Sequence, residues 1–205
     1  MAGKINREFF FDQVKARLFD GKLKQPQVDG LTHILNTWEE GYATRDDRWL
    51  AYMLATAYHE VARRMQPITE FGDRGYFTRM YDPPPAGKRP KVAKQLGNTH
   101  PGDGPMFCGR GFVQLTGRSN YTDWKNRLNV DLVGHPELAL ELDVATRVLF
   151  EGMIRGTFTS RKLGDYFDDS KSDWVNARRI INKLDRADEI ATYGQKFYSA
   201  ISYTT

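Results

Sequence analysis

The stretch DRWLAYMLATAYHEVARRMQPITE, Asp47 to Glu70, holds an apolar run (Trp49–Tyr58), then a His-Glu pair and, ten residues on, a second glutamate. The run is much shorter than the ~20 residues that a membrane span needs. It reads as a buried helix, capped by Asp46 or Asp47 and running to about Met65, ahead of Pro67. The flanking sequence has the same helical period. Residues 6–19 put Phe9, Phe10, Val14 and Leu18 on one face before Gly21, and residues 26–39 do so with Val28, Leu31, Leu35 and Trp38. Further helices are expected over 119–128, 143–155, 172–183 and 186–201, with Ser119, Asp143 and Ser172 as caps.

Between Gly72 and Gly111 the period is lost. YDPPPAGKRPKVAKQLGNTHPGDGPMF, Tyr81 to Phe107, is rich in Pro and Gly and clusters Lys88, Arg89, Lys91 and Lys94. Irregular segments of this length are usually functional or disordered. The expected architecture is mainly α, with one long irregular loop, little or no sheet, and a single catalytic domain over 1–205. Residues 1–45 form a helical part packed on that core, with a small wall-binding module as the alternative.

A chain of 205 residues with 40% hydrophobic and 27% charged residues is ordinary for a globular domain. Its net charge of +4 suits anionic surroundings, and is equally common on proteins without such a partner. The single cysteine, Cys108, excludes an internal disulfide framework and a cysteine-based metal site. The N-terminal sequence has no apolar signal region, so the expected location is the cytoplasm of a bacterial host.

The His-Glu pair admits three readings. A zinc site needs His-Glu-x-x-His, but the residue four after His59 is Arg63, and His33, His100 and His135 are isolated. No metal is expected. As a catalytic acid, Glu60 has an apolar helix before it and the negative helix end beside it, which both raise a carboxyl pKa. As a surface residue, it would pair with Arg63 and Arg64, which act in the opposite direction. Glu70 would lie ~15 Å further along an unbroken helix, but Pro67 turns the chain. An inverting glycosidase wants its carboxyls ~6.5–9.5 Å apart, which this spacing permits without demanding it.

The second informative stretch is GRGFVQLTGRSNY, Gly109 to Tyr121. Its centre alternates, with Phe112, Gln114 and Thr116 on one face and Val113 and Leu115 in the core. Asn120 follows at a helix start. Gly109, Gly111 and Gly117 allow close backbone approach. A dinucleotide loop fails at Gln114, and no Walker motif is present. A structural turn with a capping Asn explains the stretch equally well in isolation.

Taken together, AYMLATAYHEVARRMQPITE, LGNTHPGDGPMFCGRGFVQLTGRSNY and ARRIINKLDRADEIATYGQKFY resemble glycoside hydrolase family 19, the plant-type chitinases and many phage endolysins, over residues 51–198. The likeness is strongest to the phage and prophage endolysin branch. It implies a two-lobed, lysozyme-like fold with the cleft between the lobes. It implies Glu60 as the general acid, Glu70 as the base that activates water from the opposite face, and Thr116 as the hydroxyl that holds that water. His59, Gln114, Asn120 and Asn182 are implied to contact the sugar. Lys183 departs from the Gly common after that late Asn, and Cys108 stands where relatives often have a basic residue.

The expected reaction is inverting hydrolysis of β-1,4 bonds in peptidoglycan, causing lysis, with chitin oligomers as the alternative substrate. The enzyme is expected to be a monomer that uses no cofactor, binds no nucleic acid and does not insert stably into membrane. Without a signal, a partner holin would release it to the periplasm and wall. A catalytically dead glycan binder would have lost a glutamate, and both are present. A nucleic-acid binder would use Lys88 to Lys94, a run that a solvated loop explains more simply.

Overall fold

In a computed structural model, residues 3–204 are described. The helices among them are α1 (Arg7–Leu18), α2 (Gln25–Gly41), α3 (Asp47–Glu60), α4 (Arg74–Tyr81), α5 (Pro90–Gln95), α6 (Asp103–Met106), α7 (Arg118–Leu128), α8 (Leu142–Arg155) and α9 (Ala187–Tyr198). Strands β1 (Ile68–Thr69) and β2 (Arg110–Gly111) form one antiparallel pair, β3 (Phe167–Asp168) and β4 (Lys171–Ser172) another. The fold is mainly α. Two compact units divide the chain: one runs up to Gln66 and resumes at Thr146, and the other is Pro67–Ala145.

The first unit is built around α3. Every residue from Leu50 to Tyr58 is buried, so this helix is apolar on all sides and needs neighbours all round. Tyr58 supplies one side of that packing, with its ring edge-on to Phe19, Tyr193 and Phe197. Phe10 of α1 stacks on Phe197 of α9. Asp46 caps α3 by accepting from the Arg48 N–H at 2.9 Å.

The helix stops at Glu60, five residues short of the expected end. Ala62, Arg63 and Met65 adopt φ of 49°, 66° and 51°, a left-handed conformation that costs each about 1 kcal/mol. Gly30 of α2 makes room for this turn, because a Cβ there would stand 1.7 Å from the Met65 carbonyl oxygen. Gln27 Nε2 donates to the Arg63 carbonyl at 2.9 Å and fixes the turn in place.

The expected helix over 172–183 is replaced by β4 and a 3-10 turn at Asn176–Ile180. Asp173 accepts from both the backbone N–H and the side-chain amide of Asn176, a local arrangement that competes with helix. Ser172 lies in β4. Ser119 and Asp143 are inside the first turns of α7 and α8 rather than at caps, and Gly117 is the N-cap of α7.

In the second unit, the segment between Gly72 and Gly111 contains α4, α5 and α6, where the sequence suggested irregular chain. Polar side chains, several of them buried, organise it. Asp73 caps α4 through the Tyr76 N–H at 2.6 Å. Asp82 accepts from the N–H groups of Gly102 and Gly104 at 2.9 and 2.6 Å. Asn98 donates to the Tyr81 carbonyl at 2.9 Å and accepts from the Arg118 N–H at 2.8 Å, linking the end of α4 to the start of α7.

Candidate active site

Glu70 is placed by backbone pairing. Its N–H donates to the Gly109 carbonyl at 2.8 Å, extending the β1–β2 pair by one step. The Gly109 N–H donates back to Glu70 Oε2 at 3.2 Å, and the Tyr81 hydroxyl donates to Oε1 at 2.7 Å. Both carboxylate oxygens are therefore held. Burial first, and then the bond to Glu70, push the Tyr81 phenol well above its usual range, so it remains a donor.

The chain then reverses over Gly111–Gln114, because Arg110 and Leu115 exchange both backbone bonds at 3.1 and 2.8 Å. This is a turn, not the alternating strand that the sequence suggested. Phe112 is buried with Leu115, while Val113 is only half-buried. Gln114 takes a left-handed φ of 54°, and its amide donates to the carbonyls of Ile68 and Gly111 at 3.2 and 3.3 Å. Thr116 Oγ1 donates to the Gln114 carbonyl at 2.8 Å.

These side chains meet over Gly109. A Cβ on that residue would stand 2.8 Å from Gln114 Oε1, 3.1 Å from Thr116 Oγ1 and 3.2 Å from Glu70 Oε2. A carboxylate, a hydroxyl and an amide thus share a space that only a glycine leaves open. Cys108, next to it, is buried, and burial pushes its thiol up, which disfavours a nucleophilic thiolate.

Glu60, the last residue of α3, accepts from Arg178 Nη1 at 2.7 Å. The Arg178 side chain is 3% exposed and that of Glu60 19%. Arg178 Nε is used by the Asp185 carbonyl at 3.0 Å, so the guanidinium is fixed. The sequence pointed to Arg63 and Arg64 as partners of Glu60. Arg63 instead lies over the Tyr58 ring and pairs with Asp20 at 3.4 Å.

The other expected sugar contacts lie on three different segments of the chain. His59 precedes Glu60 at the end of α3 and is half-buried. Asn120 is exposed on α7 and its side chain donates to the Thr116 carbonyl at 2.7 Å, just ahead of the helix. Asn182 is exposed and accepts from the Lys183 N–H at 2.8 Å, beyond the turn that carries Arg178. Sequence reasoning missed Tyr81 and Arg178. Arg178 lies in the quoted ARRIIN stretch, but nothing there separates it from Arg179. No group of three or more His, Cys, Asp or Glu residues among those described is arranged to hold a metal. No helix among them is long and apolar enough to cross a membrane.

No protein-family model matches the chain, and no curated protein matches it. Solved structures do. The chain is similar to chitinase C from Streptomyces griseus HUT6037, with a TM-score of 0.59 and 15% identity over 100% of this chain and 80% of that one. A chitinase C point variant gives a TM-score of 0.48 at 16% identity, covering 94% of this chain and 78% of that one. A bacterial family 19 chitinase gives 0.42 at 18%, covering 92% and 94%. The whole-chain match to chitinase C shows a chitinase C-like fold; identity this low carries the fold and not the activity.

Proposed function

We propose that the protein is a glycoside hydrolase that cleaves β-1,4 bonds in the glycan strands of peptidoglycan by an inverting acid–base reaction. Glu60 donates a proton to the glycosidic oxygen. Glu70 takes a proton from the attacking water, with Thr116 as that water's second partner. The observation that carries this reading is the meeting of Glu70, Thr116 and Gln114 over Gly109, with both Glu70 oxygens held by fixed donors. A carboxylate so held is positioned before substrate arrives, which is what general-base catalysis needs. The fold supports the same reading, because chitinase C is a solved protein of this architecture.

Peptidoglycan is preferred over chitin because the motif resemblance is strongest to endolysins and because exposed cations such as Lys88, Arg89, Lys91 and Lys94 suit an anionic wall. In that role the enzyme would act alone on the wall after passing through pores made by a holin. Chitin oligomers are the second reading, favoured by the likeness to chitinase C.

The deciding experiment measures turbidity clearance and reducing-end release from purified peptidoglycan by wild type, Glu60→Gln and Glu70→Gln. Clearance by wild type, with loss of at least about a hundredfold in each folded variant, is expected for an acid–base pair. Full activity in both variants refutes the mechanism. Reducing ends from chitin oligomers alone refute the peptidoglycan assignment.

A further inference from the structure

Beyond the residues assigned above, the first unit has a hollow of about 320 Å³ lined by Thr159, Arg161, Arg179, Ile181, Asn182 and Lys183. Three of the six are cations and none is acidic. Among the described residues, Arg161, Arg179 and Lys183 form no ion pair. Of the acidic residues in the adjoining chain, Asp165 accepts from the Lys162 N–H at 3.0 Å, and Asp173 is bonded to Asn176. Arg179 makes only a long 3.3 Å contact to the Asn176 amide oxygen.

The hollow is well braced. Thr159 Oγ1 donates to the carbonyls of Arg179 and Ile180 at 2.6 and 3.0 Å, joining the loop after α8 to the Asn176–Ile180 turn. Gly156, at φ 73°, closes that loop, since a Cβ there would stand 3.0 Å from the Arg161 carbonyl. The same turn carries Arg178, which holds Glu60. The partner of the proposed acid is therefore the immediate chain neighbour of Arg179 in the hollow.

We infer that this hollow binds the carboxylates of the peptide stem that branches from a peptidoglycan glycan strand, and that Arg161, Arg179 and Lys183 are specificity-determining residues for that branch. The inference rests on the peptidoglycan reading above. Chitin is neutral and offers these cations nothing. A peptidoglycan strand carries, on its lactyl ethers, peptides with free carboxylates close to the scissile bonds. Guanidinium groups take carboxylates in a bidentate geometry, and unpaired ones lose no internal partner when they do so. Asn182, proposed as a sugar contact, lines the same hollow and would mark where strand and branch part.

The experiment compares the triple variant Arg161→Gln/Arg179→Gln/Lys183→Gln with wild type on two substrates: glycan strands bearing stem peptides, and the same strands stripped by an amidase and then esterified at the lactyl carboxylates that the amidase frees. All three side chains are exposed, so the variant should fold, as circular dichroism will verify. On peptide-bearing strands KM should rise about tenfold with kcat kept, as expected for lost charge-assisted contacts. On stripped strands KM and kcat should be unchanged, and the wild-type advantage for bearing strands should shrink with salt. Equal KM changes on both substrates, or none on either, overturn the inference while leaving the hydrolase reading intact. Failure of wild type to cleave either strand overturns the hydrolase reading itself, and this inference with it.

Discussion

Replacing Gly109 with alanine puts one methyl group where three polar side chains converge. Its distances would be 2.8 Å to Gln114 Oε1, 3.1 Å to Thr116 Oγ1 and 3.2 Å to Glu70 Oε2. Against an ordinary contact of 3.4 Å, the shortfalls are about 0.6, 0.3 and 0.2 Å. Gln114 can swing, but only by weakening its bonds to Ile68 and Gly111. Glu70 can retreat only by lengthening bonds to the Gly109 N–H and the Tyr81 hydroxyl. Stability should fall by no more than about 2.6 kcal/mol. Gly109 is outside the left-handed region, so alanine there gains about 0.4–1 kcal/mol from the unfolded chain, against about 1–3 kcal/mol for crowding. Catalysis should suffer as well. A 1 Å misplacement costs on the order of a hundredfold, so shifts of a few tenths predict a drop in kcat of about tenfold. Gly41→Ala is the control, because a Cβ there meets nothing within 4 Å. The assay is reducing-end release, with the thermal midpoint measured on the same preparations. A Gly109→Ala protein with unchanged midpoint and full kcat would show that this cluster is not the reacting centre.

Tyr81→Phe removes the donor to Glu70 Oε1 and should lower kcat by about tenfold; because the phenol stays protonated, the defect should be equal from pH 5 to 9, and a defect seen only at alkaline pH argues against a donor role. Arg178→Met breaks a largely buried pair with Glu60 and should cost about 3 kcal/mol in urea denaturation, whereas an unchanged midpoint would mean the pair contributes nothing. Burial alone would push the Asp103 carboxyl up, but Arg118 and the N–H groups of His100 and Thr99 hold it below the usual range. A depressed folded value adds stability above the unfolded pKa of about 3.9 that is lost as pH falls through the folded one. Asp103→Asn should therefore be less stable than wild type at pH 7, and the gap in urea midpoint should close between about pH 4 and pH 2; a gap that persists at pH 2 refutes the assignment.

The sequence revealed what burial imposes on composition. Helix α3 was legible because Leu50–Tyr58 must be enclosed on every side, and no polar face blurs that signal. Its end was not legible. The stop depends on left-handed residues after Glu60 and on Gly30, thirty positions earlier, leaving space for the Met65 carbonyl. The partner of Glu60 was hidden for a similar reason. Arg178 is 118 residues away, and Arg63, a nearer candidate, lies over the Tyr58 ring and pairs with Asp20 instead.

Glu70 and the Gly109–Asn120 stretch show the same division from the other side. Motif resemblance singled out Glu70, Gln114 and Thr116, and the fold brings those three together over Gly109. The geometry that does this is a tight turn, and the apparent two-residue alternation through 112–116 was misleading, since Phe112 is buried where Val113 was expected. The chain between Gly72 and Gly111 looked irregular because its order does not come from hydropathy. Asp82, Asn98 and Asp103, all at most 3% exposed, fix it through bonds to backbone N–H and carbonyl groups, which leave no periodic trace. That order has a chemical consequence. Asn98 holds the Tyr81 carbonyl, and Asp82, the next residue, is tied to Gly102 and Gly104. The segment that reads as a loop is therefore what keeps the Tyr81 hydroxyl on Glu70.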